Sequence, residues 1–212
     1  MNSVSNTFPT PPDGTFLPVV ESFYSIQGEG ANTGKAAWFV RLGGCNVRCP
    51  WCDSPSTWDA RRHPMRSISS IVNEIAASPA INVVITGGEP LLHPLGPLCA
   101  ELRARGYNIF LETSGTSPLS GDFDWICVSP KKHCPPLREV LEKAHELKIV
   151  TGDRTDLDWA GNVRKSVSRQ CILLLQPEWG RRQSASPIII EYVKEHPEWR
   201  ISLQTHKYLD IP

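Results

Sequence analysis

The chain has 212 residues, of which 40% are hydrophobic, 21% charged and 8% aromatic. Lys and Arg together number 22, as do Asp and Glu, so the formal net charge is zero and the composition argues against a protein that covers a nucleic-acid backbone. No apolar run reaches the length of a membrane span and the N-terminus lacks a signal-peptide pattern, so we expect a cytoplasmic globular protein without a membrane partner.

The first eighteen residues contain four prolines and show no periodicity, so we expect a flexible lead-in over 1–18 and a single domain over 19–212. Strand-like apolar runs and apolar residues at helical spacing then alternate along the chain. Ser67 is a plausible N-cap for the first helix. The predicted strands are 19–26, 36–42, 81–86, 107–113, 124–129, 147–150, 171–176 and 199–204, and the predicted helices centre on 68–75, 95–102, 137–144 and 188–193.

Strands that alternate with helices predict parallel β–α units. A closed eight-stranded barrel typically needs about 250 residues. The α/β chain is therefore predicted to form an incomplete TIM-type barrel of about six parallel strands, with a doubly wound open sheet as the alternative. Polar residues recur where the strand-like runs end, which is the ligand face of parallel α/β folds. They are Arg41, Thr86, Glu112, Thr113, Ser129, Gln176 and Gln204.

The segment GGCNVRCPWCDS, residues 43–54, contains Cys45, Cys49 and Cys52. In a reducing compartment, clustered thiols indicate metal or redox chemistry rather than disulfides. Three thiolates can hold three irons of a [4Fe–4S] cluster and leave the fourth iron open, as a catalytic site requires. The alternative is a zinc site completed by a remote histidine or cysteine. The other four cysteines are interpreted as structural, with Cys134 the least clear of them: Cys99, Cys127, Cys134 and Cys171.

The segment TGGEP, residues 86–90, directly follows a predicted strand. Its glycines permit close backbone approach to a ligand, and Glu89 can receive an ammonium group. The cysteine loop and TGGEP, in this order, resemble the radical S-adenosylmethionine (SAM) enzymes. In that family the amino and carboxylate groups of SAM chelate the open iron, and the resemblance places Trp51 near the adenine.

Further motifs make the resemblance narrower. Residues 23–54, together with TGGEP, ETSG, SPK and the closing QTHKYLDIP, are similar to the 7-carboxy-7-deazaguanine synthases, and these matches span nearly the whole chain. The resemblance implies a carbon–nitrogen lyase that converts 6-carboxy-5,6,7,8-tetrahydropterin to 7-carboxy-7-deazaguanine and ammonia, on the route to queuosine. A radical formed from SAM would take a hydrogen from C6 of the pterin.

The same resemblance implies a homodimer and an electron donor such as flavodoxin. Two other functions are compatible with the cysteine loop. A glycyl-radical-enzyme activase shares such a loop but acts on a protein. A non-catalytic zinc-binding module would leave TGGEP and SIQGEG, residues 25–30, without an explanation.

The resemblance also assigns the site residues. Arg41 would grip the substrate carboxylate with two N–H groups, although a structural salt bridge is an equal alternative from the residues alone. Substrate contacts are implied for Ile26, Gln27, Gly28, Arg41, Thr86, His206 and the carboxylate of Pro212. Cofactor contacts are expected for Trp51, Gly88, Glu89, Glu112, Ser129, Pro130, Lys131 and Gln176.

Ser54 departs from the family pattern. The family usually has threonine here, and its hydroxyl binds Mg²⁺ beside the substrate carboxylate. Ser54 keeps the oxygen but lacks the methyl group that restricts the rotamer of threonine. Magnesium retains several waters and needs few protein oxygens, so we expect Mg²⁺ at Ser54.

Overall fold

The computed structural model of the chain describes residues 11–212. The strands are β1 (Phe16–Ile26), β2 (Ala36–Leu42), β3 (Met65–Ser67), β4 (Asn82–Gly87), β5 (Asn108–Thr113), β6 (Trp125–Val128), β7 (Glu146–Thr151), β8 (Ile172–Pro177) and β9 (Trp199–Ile201). The helices are α1 (Ile68–Ala76), α2 (Gly96–Ala104), α3 (Arg138–Glu142), α4 (Arg154–Val163), α5 (Arg182–Glu195) and α6 (Thr205–Leu209). Short 3₁₀ turns connect several of them.

The strands form one sheet in the order β3-β1-β2-β4-β5-β6-β7-β8-β9. Strands β2 and β4 to β9 run parallel to one another, whereas β1 is antiparallel to both of its neighbours, β2 and β3. The sheet begins at β3 and ends at β9 without pairing the two, so it is an open form of the barrel. The prediction of an incomplete barrel is confirmed, with seven parallel strands rather than about six.

The period of two along each strand divides the residues between two faces. Val40, Ile85 and Leu111 join the main core, which lies between the sheet and the helices. Their neighbours Phe39 and Val84 belong to a smaller apolar cluster on the opposite face. Two residues further along β2, β4 and β5, on the same face as this cluster, are Arg41, Thr86 and Glu112, so the alternation supplies side chains of the site.

Helix α1 shows why the periodicity predicted helices well. Ile68, Ile71, Val72 and Ile75 are all buried against the sheet. The hydroxyl of Ser67 accepts a hydrogen bond from the backbone N–H of Ser70 at 3.2 Å, so the predicted N-cap is confirmed. Among residues 11–212, no helix is both long and apolar enough to cross a bilayer.

Four elements differ from the predictions, and two of them, β3 and α6, are short elements that were not predicted. Strand β1 begins at Phe16 and its residues 16–18 pair with β3, so the last three residues of the expected lead-in belong to the sheet. The first ten residues of that lead-in lie outside the described part of the chain. Helix α4 was not predicted, because it has few apolar residues; a reciprocal capping box of Asp153 and Asp156 starts it.

Candidate active site

A cavity of about 710 Å³ lies at the carboxyl ends of the parallel strands. Strands β2, β4 and β5 contribute Arg41, Thr86 and Glu112, which share one face of the sheet; Arg41 and Thr86 are directly paired. The predicted site residues that line the cavity are Ile26, Gln27, Gly28, Arg41, Cys45, Cys49, Trp51, Cys52, Ser54, Thr86, Gly88, Glu112, Ser129, Lys131, Gln176, His206 and Pro212. Glu89 and Pro130 do not line it.

The cysteine loop, residues 43–54, forms one wall of this cavity. A backbone hydrogen bond fixes the position of Cys45, since its N–H donates to the carbonyl of Trp58 at 3.2 Å. The N–H of Cys52 donates to the carbonyl of Cys49 at 3.0 Å and closes a turn between the other two thiols. All three thiols are free, and burial raises the pKa of Cys45 and Cys49, so metal binding must release their protons.

The donor set fits a [4Fe–4S] cluster. The three thiols share one loop and one cavity, and in such a cluster each thiolate binds a different iron. Within residues 11–212, no three His, Cys, Asp or Glu side chains are arranged around a single metal ion, as a mononuclear zinc site requires. The other cysteines lie away from the cavity lining.

The two glycines of TGGEP are required by packing against the protein itself. A Cβ atom on Gly87 would lie 2.3 Å from the carbonyl oxygen of Leu42, and one on Gly88 would lie 2.3 Å from that of Gly44. The N–H of Gly88 donates to Leu42 at 3.0 Å, and the next N–H donates to Gly44 at 2.8 Å. TGGEP therefore packs against the start of the cysteine loop and holds it by backbone hydrogen bonds, and Gly88 also lines the cavity.

Glu89 corrects a prediction. Its side chain is fully buried and both oxygens already have donors. One accepts from the N–H of Leu91 at 3.0 Å and the hydroxyl of Thr113 at 2.6 Å; the other accepts from the N–H of Ser114 at 2.7 Å and from the Ser114 hydroxyl. Glu89 thus joins the turn after β4 to the end of β5, and we withdraw the expected contact with an ammonium group.

A buried group of charges forms the floor of the cavity and includes residues that the sequence reasoning missed. The ammonium group of Lys148 lies 2.7 Å from a carboxylate oxygen of Glu29 and 3.0 Å from one of Glu112. The amide of Gln27 donates to the second oxygen of Glu112 at 3.2 Å. All four side chains line the cavity.

The pKa values of these groups reflect competition between burial and pairing. Burial opposes ionisation of Glu29, yet the charge and hydrogen bond of Lys148 hold the pKa of Glu29 at about 2. Burial also disfavours the charged form of Lys148, but the surrounding acidic groups keep its pKa well above the usual value. Burial raises the pKa of Glu112, so this carboxyl group takes up a proton more readily than Glu29 does.

Arg41 forms the predicted salt bridge and also faces the cavity. Its Nε donates to Glu21 on the neighbouring strand, which is the structural salt bridge. Among residues 11–212 the structure shows no partner for the two Nη groups, and the side chain lines the cavity beside Thr86. The guanidinium group can therefore keep its structural pair and still bind an anion.

The C-terminal arm, residues 204–212, closes one side of the cavity. The N–H and hydroxyl of Thr205 donate to the carbonyl of Gly28 at 2.8 and 3.0 Å. The hydroxyl of Ser25 donates to a main-chain oxygen of Pro212 at 2.9 Å. A Cβ atom on Gly28 would lie 2.3 Å from Nδ1 of His206, so glycine is needed where the arm packs on β1.

Four further predicted residues also line the cavity: Lys131, Ser129, Gln176 and Ser54. Lys131 donates to the carbonyl and the hydroxyl of Ser129, the latter at 2.8 Å, and burial lowers the pKa of Lys131. The side-chain oxygen of Gln176 accepts from the hydroxyl of Ser202 at 2.8 Å. Ser54 donates weakly to Asp53 at 3.4 Å and faces the cavity, which leaves its oxygen accessible to a metal ion.

The chain is similar to known proteins over most of its length. A profile of the Radical SAM superfamily matches residues 39–128. The 7-carboxy-7-deazaguanine synthase of Flavobacterium psychrophilum is 46% identical over 199 residues, covering 94% of each chain. That of Synechocystis is 45% identical over 92% of this chain and 93% of its own. The crystal structure of QueE from Escherichia coli superposes with a TM-score of 0.83 at 31% identity, covering 92% of this chain and 96% of that one.

Proposed function

The chain belongs to the 7-carboxy-7-deazaguanine synthase family of radical SAM enzymes, and we propose that it converts 6-carboxy-5,6,7,8-tetrahydropterin to 7-carboxy-7-deazaguanine with loss of ammonia. One structural observation carries this proposal. A single cavity joins the three thiols of the cysteine loop to a floor of paired hydrogen-bond donors and acceptors. A radical source and a polar heterocycle would therefore lie in contact with each other.

Cys45, Cys49 and Cys52 would hold the [4Fe–4S] cluster. With SAM bound, the cluster supplies one-electron and hydrogen-abstracting chemistry that no side chain of the protein provides. The protein's own contribution is to position the reactants and exclude water. Residues on the rim next to the cysteine loop are the proposed SAM contacts: Trp51, Gly88, Ser129, Lys131 and Gln176.

The cavity floor would bind the pterin ring. A guanine-like edge presents N–H donors next to a carbonyl acceptor. Glu29 and Glu112 accept hydrogen bonds, Lys148 donates them, and the amide of Gln27 does both. Because Gln27 and Lys148 both donate to Glu112, we place Glu112 with the pterin rather than with the ribose of SAM, to which the sequence resemblance assigned it.

Arg41 would bind the substrate carboxylate through its Nη groups, with the hydroxyl of Thr86 beside it. Arginine suits this role because its parallel N–H groups match both carboxylate oxygens. His206 and Pro212 would contact the substrate from the C-terminal arm, which the bond from Ser25 holds in place. Together these contacts surround the ring and separate it from bulk water.

We also propose that Mg²⁺ binds at Ser54, next to the substrate carboxylate. Support comes from the position of the Ser54 hydroxyl on the cavity wall and from the neighbouring carboxylate of Asp53. One hydroxyl and a substrate carboxylate suffice because magnesium keeps most of its waters.

We further propose a cytoplasmic homodimer that takes its electron from a flavodoxin-type donor. The support is the family resemblance, together with a set of large apolar side chains near the end of the chain that are 40% exposed or more: Ile201, Leu203, Tyr208 and Leu209. Light scattering of the purified protein tests the dimer, and a mass of one chain at micromolar concentration would contradict it.

The decisive experiment is anaerobic reconstitution followed by product analysis. The protein is supplied with iron, sulfide, SAM, Mg²⁺, a strong reductant and 6-carboxytetrahydropterin, and products are identified by mass. We expect 7-carboxy-7-deazaguanine from the wild type and from Cys171→Ala, but none from Cys45→Ala. Free 5′-deoxyadenosine without the deazaguanine would show that the substrate is wrong, and product from Cys45→Ala would exclude the cluster assignment.

A further inference from the structure

Three walls of the cavity meet at Lys207. Its ammonium group donates to Asp53 at 3.0 Å and to the side-chain oxygen of Gln204 at 3.2 Å. It also lies 5.0 Å from the ring centre of Trp179. Asp53 belongs to the cysteine loop, Trp179 follows β8, and Lys207 itself lies on α6 of the C-terminal arm.

The pair between Lys207 and Asp53 is better sheltered than a typical surface ion pair. The Lys207 side chain is 20% exposed, whereas that of Asp53 is 57% exposed. The ring of Trp179 covers the ammonium group and is itself held edge-on by Tyr208, with centroids 5.3 Å apart. Partial burial and the aromatic face both strengthen the attraction, because they reduce competition from water.

Asp53 is the point at which the arm is attached to the cysteine loop. Within the described part of the chain, the hydrogen bonds between residues 43–54 and 204–212 both end on Asp53, one from Lys207 and one from Gln204 at 3.4 Å. Gln204 in turn donates to Glu29 at 2.8 Å, which extends the connection to the cavity floor. The metal-binding side and the substrate-binding side of the cavity are therefore joined through one carboxylate.

We propose that Lys207 is a positioning residue that clamps the C-terminal arm onto the cysteine loop through Asp53. The clamp sets the distance between the side of the cavity that holds the cofactors and the arm residues His206 and Pro212. This inference rests on the proposed function for its kinetic consequence, because the arm is assigned to substrate binding there. Lys207 itself does not touch the reacting atoms.

A different role for Lys207 predicts a different effect of its removal on Mg²⁺ binding and on the pterin KM. If the Lys207 ammonium group acted only as a positive charge beside the magnesium site, its removal would strengthen binding of Mg²⁺. The pterin KM would then stay unchanged. The clamp requires that substrate binding weakens.

The test uses the reconstituted enzyme in four variants: Lys207→Met, Lys207→Arg, Asp53→Asn, and the double variant that combines Lys207→Met with Asp53→Asn. Methionine keeps the length of the side chain and removes the charge. Lys194→Met is the matched control, because Lys194 pairs with Glu191 on α5, outside the cavity. The measured quantities are the pterin KM and kcat, the Mg²⁺ requirement, and hydrogen exchange of the backbone amides of 205–212.

We expect Lys207→Met to raise the pterin KM roughly twofold to fivefold with a smaller change in kcat, and to speed amide exchange in the arm. Lys207→Arg restores most of the affinity, and Lys194→Met behaves as the wild type. The pterin KM of the double variant is no higher than that of either single variant, because all three remove the same contact.

The clamp is wrong if Lys207→Met leaves KM and amide exchange unchanged, or if the two single effects add in the double variant. A lower Mg²⁺ requirement at constant KM would also overturn it in favour of a competing charge. Failure of the proposed function looks different. The wild type would then form no product, while amide exchange in the arm would still respond to Lys207.

Discussion

Replacement of Glu89 by glutamine is the sharpest test of how the cysteine loop is supported. The two oxygens of this buried carboxylate accept from Leu91, Thr113 and both the N–H and the hydroxyl of Ser114. In Glu89→Gln one oxygen becomes an NH₂ donor. If that group faces Ser114, the hydroxyl can turn to accept from it, but the backbone N–H loses its acceptor. A hydrogen bond to a charged group contributes about 1.5–3 kcal/mol, so the expected loss in the free energy of unfolding is about 3 kcal/mol.

This loss should be visible in thermal unfolding of the cluster-free protein. In domains of 150–250 residues each 1 kcal/mol moves Tm by about 2–4 °C, so Glu89→Gln should unfold roughly 6–12 °C below the wild type. Glu101→Gln is the control, since Glu101 forms an exposed pair with Arg105 at 3.0 Å. Exposed pairs contribute about 0.2–1 kcal/mol, so its Tm should change by no more than about 4 °C.

The refuting result combines stability and cofactor binding. Suppose Glu89→Gln unfolds within about 2 °C of the wild type, which is the shift expected for less than 1 kcal/mol. Suppose also that the reconstituted variant binds SAM at least tenfold more weakly. Glu89 would then contact the cofactor directly, and the conclusion that its internal hydrogen bonds define its role would be wrong.

Three further predictions follow from the site. The pKa of Glu29 is about 2, below its ordinary 4.5, so its contribution to stability is present above pH 4.5 and is lost as the pH falls towards 2. The free energy of urea unfolding should therefore fall less over this pH range for Glu29→Gln than for the wild type. Equal falls for the two proteins would contradict this. Gly28→Ala should push His206 away and raise the pterin KM roughly 10- to 100-fold, whereas Gly96→Ala, with no neighbour within 4 Å, should not. Ser54→Thr should lower the Mg²⁺ concentration for half-maximal activity by roughly twofold to threefold, because threonine has fewer rotamers to lose; an unchanged value would argue against a metal ligand there.

Much of the site could be predicted because it follows from local patterns. The cysteine spacing is continuous in sequence, and the alternation along β2 and β4 places Arg41 and Thr86 on one face at the ends of paired strands. Both features need only short-range geometry. The same is true of the cap at Ser67.

The missed residues depend on contacts between distant parts of the chain. Lys148 lies in the predicted strand 147–150, where Leu147 and Ile149 face the core and Lys148 faces the cavity. The alternation carried a signal for this, but the partners Glu29 and Glu112 are 119 and 36 residues away. The expected contact of Glu89 with an ammonium group depends on a distant residue in the same way, since nothing near Glu89 in sequence shows that Ser114 donates to its carboxylate.

The buried group of Glu29, Glu112 and Lys148 has a consequence for how this family can change in evolution. Removing one partner from a buried ion pair leaves an uncompensated charge and costs about 3–5 kcal/mol, a large part of the stability of an ordinary domain. Lys148 lies within 3.0 Å of both carboxylates, so loss of Lys148 leaves two carboxylates without a counter-charge, whereas loss of either glutamate leaves Lys148 paired with the other. Lineages should therefore keep Lys148 for as long as they keep either carboxylate, so the lysine is the last of the three residues that can change.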